Sequence, residues 1–321
     1  MKLDDIAKIV NSDLNAVNDF ILKEVDGNAA ADSLPIVNYL IKKKGKQIRP
    51  LLNLLTYRCI IGHQKPVAEL TQQVAALELI HIGSLIHDDV IDEANQRRGQ
   101  ASINLEWGNS AAVSIGTYFY SIAISLLSQL NRPYILTMTA KTVQAMCNSE
   151  LTQLAKRYNL GLTTPDYLKL ISNKTALLFQ TNTVASAHLS ECDEKTCELF
   201  SKLGFEIGLL FQLTDDFLDY FGDDSNLNKP IGQDFKQGQV TLPLIMLKDV
   251  LPDTTTLFKT PFTSIKQLMA NHGISEKVKV IIEHHQHTIT EIFKTIPDND
   301  YKKALQEMCL LISQRINLIT A

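Results

Sequence analysis

The chain has 321 residues, 45% of them hydrophobic, and a formal net charge of −4. That length and apolar content can bury a large core, and the mild acidity gives no reason to expect a nucleic-acid partner. Five scattered cysteines (Cys59, Cys147, Cys192, Cys197, Cys309), with no C-x-x-C pair, predict reduced thiols in a cytoplasmic protein rather than a disulfide framework or a zinc site.

The opening Met1-Lys2-Leu3-Asp4-Asp5 carries acids where a signal peptide has basic and then apolar residues. Ile6, Ile9, Val10, Leu14, Val17, Ile21 and Val25 recur at helical spacing and predict one amphipathic first helix. A second follows around Leu34 to Ile41, and Val67 to Glu93 predicts a long one. No charge occurs from Asn109 to Asn131, a run long enough to span a bilayer. Ser110, Ser114, Thr117, Ser121, Ser125 and Ser128 nevertheless recur within it every three or four residues. That small-polar stripe predicts a buried helix in close contact with its neighbours and no membrane span.

Asn131-Arg132-Pro133 breaks the pattern. Thr164-Pro165-Asp166 predicts an N-cap, a first-position proline and a first-turn acid, opening a helix at Tyr167. Another helix is expected from about Thr196 to Tyr220. Gly222 to Gly238, rich in Gly, Asp, Asn and Lys, reads as a loop, and the remainder as amphipathic helices with no chemical signature. His284-His285-x-His287 lacks the acidic or cysteine company of a metal site and is assigned to a solvated helix face. Glycine and proline are scarce, no linker or repeat divides the chain, and no segment alternates with period two. The expectation is an all-α protein with a single domain over residues 1–321.

Two acidic pentads stand out, Asp88-Asp89-Val90-Ile91-Asp92 and Asp215-Asp216-Phe217-Leu218-Asp219. Residues four apart share a helical face, so Asp88 stacks with Asp92 and Asp215 with Asp219. Like charges at that spacing destabilise a bare helix, and hard divalent cations are the natural counter-charge. Mg²⁺, with Mn²⁺ as an alternative, keeps its waters and is usually held by a few carboxylates plus substrate phosphates. Basic clusters alternate with these acids: Lys46 and Arg49 in Gly45-Lys46-Gln47-Ile48-Arg49-Pro50, then Arg97-Arg98-Gly99, Lys174-Thr175, and Lys229 with Lys236. The alternation predicts two anion pockets, one metal-dependent and one metal-free.

With His81, Phe211-Gln212, Lys229-x-x-Gly232-x-Asp234 and Thr241-Leu242-Pro243 added in this order, residues 40 to 250 resemble the trans-isoprenyl diphosphate synthases. Leu85 to Glu93 and Trp107-Gly108-Asn109 are most similar to the bacterial octaprenyl members. The resemblance implies an isoprenoid synthase-like helical bundle with a central cavity, working as a cytoplasmic homodimer. In this family an allylic diphosphate, here expected to be farnesyl diphosphate, ionises and isopentenyl diphosphate attacks it head to tail in repeated rounds. The product would be a long all-trans chain for a quinone. The departing diphosphate can take the proton, so no protein base is required.

By the same resemblance, Asp88, Asp92 and Asp215 would bind metal, with Asp89, Asp216 and Asp219 supporting through its waters. Arg97, Lys174, Thr175, Gln212 and Lys229 would hold the allylic diphosphate. Gly45, Lys46, Arg49, His81 and Arg98 would form the metal-free isopentenyl diphosphate pocket. Gly83 and Ser84 occupy positions that aromatics fill in short-chain members, which implies a long product; Leu126 and Leu127 are assigned as a deeper floor.

Three departures from the family pattern are visible: Gln239 in place of a lysine before Thr241, with Lys236 as a possible substitute; Thr117 after Gly116 in place of an aspartate; and Asn228 in place of a glycine. A class I terpene cyclase and a slow or non-catalytic subunit of a heteromeric synthase are the alternatives.

Overall fold

Helices make up nearly all the regular structure in the computed structural model, which describes residues 2–42, 45–64, 66–222 and 231–316. The chain forms two compact units, each discontinuous in sequence. One comprises Met1–Thr139, Asn182–Cys197 and Asn299–Ala304; the other comprises Ala140–Thr181, Glu198–Asp298 and Leu305–Ala321.

The first unit begins with α1 (Leu3–Ile9) and α2 (Asn11–Asn28). The single helix expected there is interrupted at Val10, where φ is −121°, yet Ile6, Val10, Leu14, Val17, Ile21 and Val25 are all buried. Periodicity read the buried face correctly and missed the break. Helices α3 (Leu34–Lys42), α4 (Ile48–Ile61), α5 (Glu69–Ile91) and α6 (Ile103–Gln129) follow, and α5 packs along α6. Glycines permit that close approach: a Cβ on Gly83 would lie 3.0 Å from the Gly116 carbonyl oxygen, and one on Gly116 would lie 2.4 Å from the His87 ring.

The serine stripe of α6 does not pack as expected. Ser110, Ser114, Thr117, Ser121, Ser125 and Ser128 are all exposed, and Ala112, Ile115, Phe119, Ile122, Ala123, Leu126 and Leu127 form the buried face. By length and composition α6 is apolar enough to cross a membrane, with 44% of its most apolar window buried.

Between α5 and α6 lies a hairpin too short to show a period-two pattern in the sequence. Two-residue strands β1 (Gln96–Arg97) and β2 (Gln100–Ala101) pair antiparallel around Arg98 (φ 54°) and Gly99 (φ 69°). Positive φ at both central positions is the signature of a type I′ hairpin turn, which glycine accommodates and arginine does not favour.

Helices α7 (Pro133–Ala155), α9 (Leu177–Leu189), α10 (Glu194–Phe221) and α15 (Asp300–Gln314) contribute residues to both units. The second unit also contains α8 (Thr164–Ile171), α11 (Gln233–Lys236), α12 (Leu242–Lys248), α13 (Phe262–Asn271) and α14 (Ile274–Thr295). The cap of α8 is Thr163, one residue earlier than expected; it closes a capping box with Asp166. His284 and His287 are exposed, but His285 is not on a solvated face: its Nδ1 lies 2.7 Å from Glu206 Oε2 and its side chain is 13% exposed.

A π-helical turn, Ser172–Ala176, joins α8 to α9 and carries Lys174 and Thr175. Such turns are rare and concentrate at functional sites. This one lies against α10 at Gly208, where an added Cβ would sit 2.5 Å from the Ala176 Cα. Backbone cannot yield as a flexible side chain can. Gly208→Ala should therefore cost about 1–3 kcal/mol despite alanine's better helix propensity. Urea unfolding would show this as a lower midpoint at unchanged slope; an unchanged or raised midpoint would contradict the close approach.

Candidate active site

In the first unit, four elements carry the residues expected to form a metal-free pocket. Gln47 caps α4 in a left-handed conformation (φ 50°), and its side-chain Nε2 donates to Asn18 Oδ1 at 2.6 Å. This ties the Gly45–Arg49 segment to α2. Arg49 Nη1 lies 3.0 Å from His81 Nε2. Arginine can only donate, so Nε2 is the acceptor and the ring is neutral with its proton on Nδ1. Burial, then the charges of Arg49, Arg98 and Arg97, push the His81 pKa well below its ordinary value.

The I′ turn sends its two arginines in different directions. Arg98 reaches Gly45, where a Cβ would meet its Nη2 at 2.4 Å, so glycine is what admits the guanidinium. Arg97 instead grips Asp89, donating from Nε to Oδ1 at 2.9 Å and to Oδ2 at 3.0 Å, with a further bond from Nη2 to Oδ1. Burial opposes the charge on Arg97, but the bond to Asp89 and the fields of Asp89, Asp88 and Asp92 outweigh it and raise the pKa. Asp89 is 5% exposed. Asp88 and Asp92 are half-buried, and Asp92 closes α5 with its N–H on the Asp88 carbonyl at 2.8 Å. Lys46 is exposed.

Sequence reading missed Glu78, one turn before His81. It is 7% exposed, and its Oε2 is buried without a hydrogen-bond partner among the described residues. Burial raises its pKa to about 7 against the opposing pull of Arg49 and Arg98. A lone carboxylate in an apolar helix, three residues before His81, was the only signal in the sequence; the nearness of Arg49 and Arg98 comes from the fold.

In the second unit the π turn organises a chain of polar contacts. Thr175 Oγ1 donates to Gln212 Oε1 at 2.7 Å, Gln212 Nε2 donates to Asp216 Oδ1 at 2.6 Å, and the Tyr167 hydroxyl donates to Asp216 Oδ2 at 2.6 Å. Burial raises the Asp216 pKa to about 6. Asp219 is 3% exposed and accepts from the backbone N–H groups of Gln233 (3.2 Å) and Asp234 (3.0 Å), anchoring α11. Asp215 is paired with Arg315 at 2.6 Å, a cation from the C-terminal segment in which no chemical signature was expected.

Lys174 Nζ contacts Glu150 Oε2 at 2.6 Å and Gln153 Oε1 at 2.9 Å. Lys236 is exposed on α11, and Lys229 and Asn228 lie outside the described residues. Gly83 is buried against α6. Ser84 is half-buried with its hydroxyl on the His81 carbonyl at 2.8 Å, and Leu126 and Leu127 are each 2% exposed.

Within the pentads, then, Asp89, Asp216 and Asp219 orient neighbouring groups, whereas Asp88, Asp92 and Asp215 are the more accessible carboxylates. Among the described residues no three His, Cys, Asp or Glu side chains converge as a closed metal cage. Carboxylates one helical turn apart fit a hard cation that keeps several waters and takes its remaining ligands from a substrate.

A family model described as polyprenyl synthetase matches residues 33–269. The chain belongs to the polyprenyl synthetase family. Heptaprenyl diphosphate synthase component 2 of Geobacillus stearothermophilus is 30% identical, over 98% of this chain and 99% of that one. Octaprenyl diphosphate synthase of Haemophilus influenzae is 29% identical, over 98% of both. The crystal structure of a polyprenyl synthase from Caulobacter crescentus, complexed with calcium and isoprenyl diphosphate, matches with a TM-score of 0.89 at 27% identity, covering 98% of both chains. The all-helical isoprenoid synthase fold and trans-polyprenyl diphosphate synthase activity follow from this membership.

Glu78 makes the synthase's stability depend on pH in a defined window. Its pKa is about 7 in the folded chain against an ordinary 4.5. The folded state therefore holds the proton more tightly, a contribution fully present below pH 4.5 and lost as pH rises through 7. Between those limits the stability of Glu78→Gln relative to the parent should shift in the variant's favour by about 3 kcal/mol. Denaturation at a series of pH values measures this directly. A difference that stays flat with pH would contradict a buried, proton-binding Glu78.

Proposed function

We propose that this chain condenses isopentenyl diphosphate with an allylic diphosphate, farnesyl diphosphate by preference, into a long all-trans polyprenyl diphosphate for a quinone side chain, with octaprenyl as the expected length. The observation carrying this reading is the separation of cationic groups into two sets. Arg49 and Arg98 gather with neutral His81 and the buried Glu78, and Arg98 reaches Gly45, while Arg97 is tied to Asp89 of the first pentad and Lys174 to Glu150.

In this reading Arg49 and Arg98, with Lys46 at the edge and the Gly45 backbone, bind isopentenyl diphosphate without metal. His81 adds a polar contact from its fixed tautomer. Arg97, Lys174 and, by family resemblance, Lys229 hold the allylic diphosphate, with Thr175 and Gln212 orienting the π turn. Asp88, Asp92 and Asp215 hold Mg²⁺, for which Mn²⁺ can substitute; when bound, the ion stabilises the negative charge developing on the departing diphosphate. Asp89 holds Arg97, Asp216 fixes Gln212, and Asp219 secures α11; none of the three needs to touch the ion. Asp215, paired with Arg315 here, would exchange that partner for the ion. The calcium and isoprenyl diphosphate named for the Caulobacter protein support a divalent cation and a prenyl diphosphate as ligands of this fold.

The enzyme is proposed to act as a cytoplasmic homodimer. The exposed row on α6 supports a second copy: Val113 is 48% and Ile124 57% exposed, among the small serines and Thr117. Ser114, Thr117, Ser121 and Ser128 return their hydroxyls to carbonyls of their own helix, which leaves a low, weakly polar surface suited to close packing. A heteromeric subunit is the second reading, favoured by the Geobacillus relative being called component 2.

Incubation of purified protein with farnesyl diphosphate, labelled isopentenyl diphosphate and Mg²⁺, followed by chromatography of the dephosphorylated products, tests the proposal. Long products are expected from the parent; none from the chain alone would favour the heteromeric reading. Ser84→Phe would place a ring one turn before Asp88 and halt growth after about three or four isoprene units, with initial rates within roughly tenfold, or ~1.4 kcal/mol. Unchanged long products from a folded variant would mean that the tail takes another path.

A further inference from the structure

The lysine expected before Thr241 is Gln239, and the structure gives that departure a use. Gln239 is held rigidly. Its N–H donates to the Asp234 carbonyl at 2.8 Å, and Gly238 precedes it with φ 73°, its own carbonyl accepting from the Tyr158 N–H at 2.7 Å. Its side chain joins a directional series of contacts. Gln239 Nε2 donates to Gln237 Oε1 at 2.7 Å, Gln153 Nε2 donates to Gln239 Oε1 at 2.5 Å, and Lys174 Nζ donates to Gln153 Oε1 at 2.9 Å.

The direction of this series is forced. An ammonium has donors only, so Gln153 must turn its oxygen toward Lys174 and its NH₂ toward residue 239. Residue 239 must then supply an acceptor. Glutamine has one; the lysine usual in the family has none. With lysine at 239, the Gln153 oxygen is drawn away and its NH₂ is turned on Lys174, donor against donor. Glu150 would remain as an anchor at 2.6 Å, but on one side of the ammonium only.

We propose that Gln239 is a positioning residue for the allylic pocket: it fixes the amide orientation of Gln153, which in turn holds the Lys174 ammonium in place. The chain has thus exchanged a direct phosphate-binding lysine for control over another one. The inference rests on the reading that Lys174 binds the allylic diphosphate, and it reverses the simple expectation for this site. If Gln239 were only a lost lysine, restoring lysine would strengthen allylic binding. If it positions Lys174, restoring lysine weakens binding.

The test is calorimetric titration of the full-length enzyme, with Mg²⁺ present, with farnesyl thiolodiphosphate, an allylic analogue that resists ionisation. Gln239→Lys, Gln239→Leu, Gln153→Leu, the Gln153→Leu/Gln239→Leu double variant and Lys174→Ala are compared, and KM for isopentenyl diphosphate is measured alongside. Gln239→Lys and Gln239→Leu should each weaken the analogue by about tenfold, the scale of one hydrogen bond to a charged group. KM for isopentenyl diphosphate should stay within about twofold of the parent, since the contacts to Arg49 are untouched. The double variant should bind no more weakly than Gln153→Leu alone, because the two residues act in series. Tighter or unchanged binding by Gln239→Lys, or multiplying effects in the double variant, would overturn the proposal. Unchanged binding by Lys174→Ala would instead overturn the allylic-pocket reading, and the relay's purpose with it.

Discussion

Most of the groups proposed to meet a diphosphate or a cation are charged side chains on or beside apolar helices, and a partly buried charge is costly to leave without a partner. That constraint accounts for much of the polar architecture. Arg97 is gripped by Asp89, Lys174 by Glu150 and Gln153, and Asp215 by Arg315. Removing one partner of a fully buried pair costs on the order of 3–5 kcal/mol, and the partial exposure of these pairs lowers that figure. In the proposed mechanism ligands would enter by replacing some of these pairings, and a divalent cation at Asp215 would take the place of Arg315.

The same constraint separates two kinds of aspartate that look identical in sequence. Both pentads read Asp-Asp-x-x-Asp, and helical spacing correctly stacks the first and last members of each. Asp89 and Asp216, the second members, are buried and hydrogen-bonded, the one to Arg97 and the other to Tyr167 and Gln212. Asp219, though a last member, is drawn inward by the N–H groups of α11. A spacing rule reports which side chains share a face. It does not report which of them the surrounding chain will claim.

The helical class, the long α5 and α10, and the buried faces of α1 and α2 were legible in the sequence because each rests on local periodicity. The type I′ hairpin was not, because two-residue strands have no period to detect; the positive φ of Arg98 and Gly99 nonetheless explains why adjacent arginines serve different partners. The π turn under Lys174 was hidden for a related reason: it keeps helical composition while altering the hydrogen-bond step. The α6 stripe was visible but given the wrong side, since a row of serines fits tight packing inside a chain and between chains equally well. Glu78 and Arg315 depend on contacts that only tertiary structure supplies. Gln239 was seen as a loss; its partners turn it into a constraint on Lys174.

The central claim is that the Arg49–His81–Arg98 cluster is an anion pocket in its own right, independent of divalent metal. Calorimetric titration of chelator-treated enzyme with isopentenyl diphosphate tests it most directly, with Arg49→Ala and Lys174→Ala run alongside. The account predicts saturable binding without metal, weakened at least about tenfold by Arg49→Ala and left nearly unchanged by Lys174→Ala. Binding that requires Mg²⁺, or that falls equally in both variants, would contradict it.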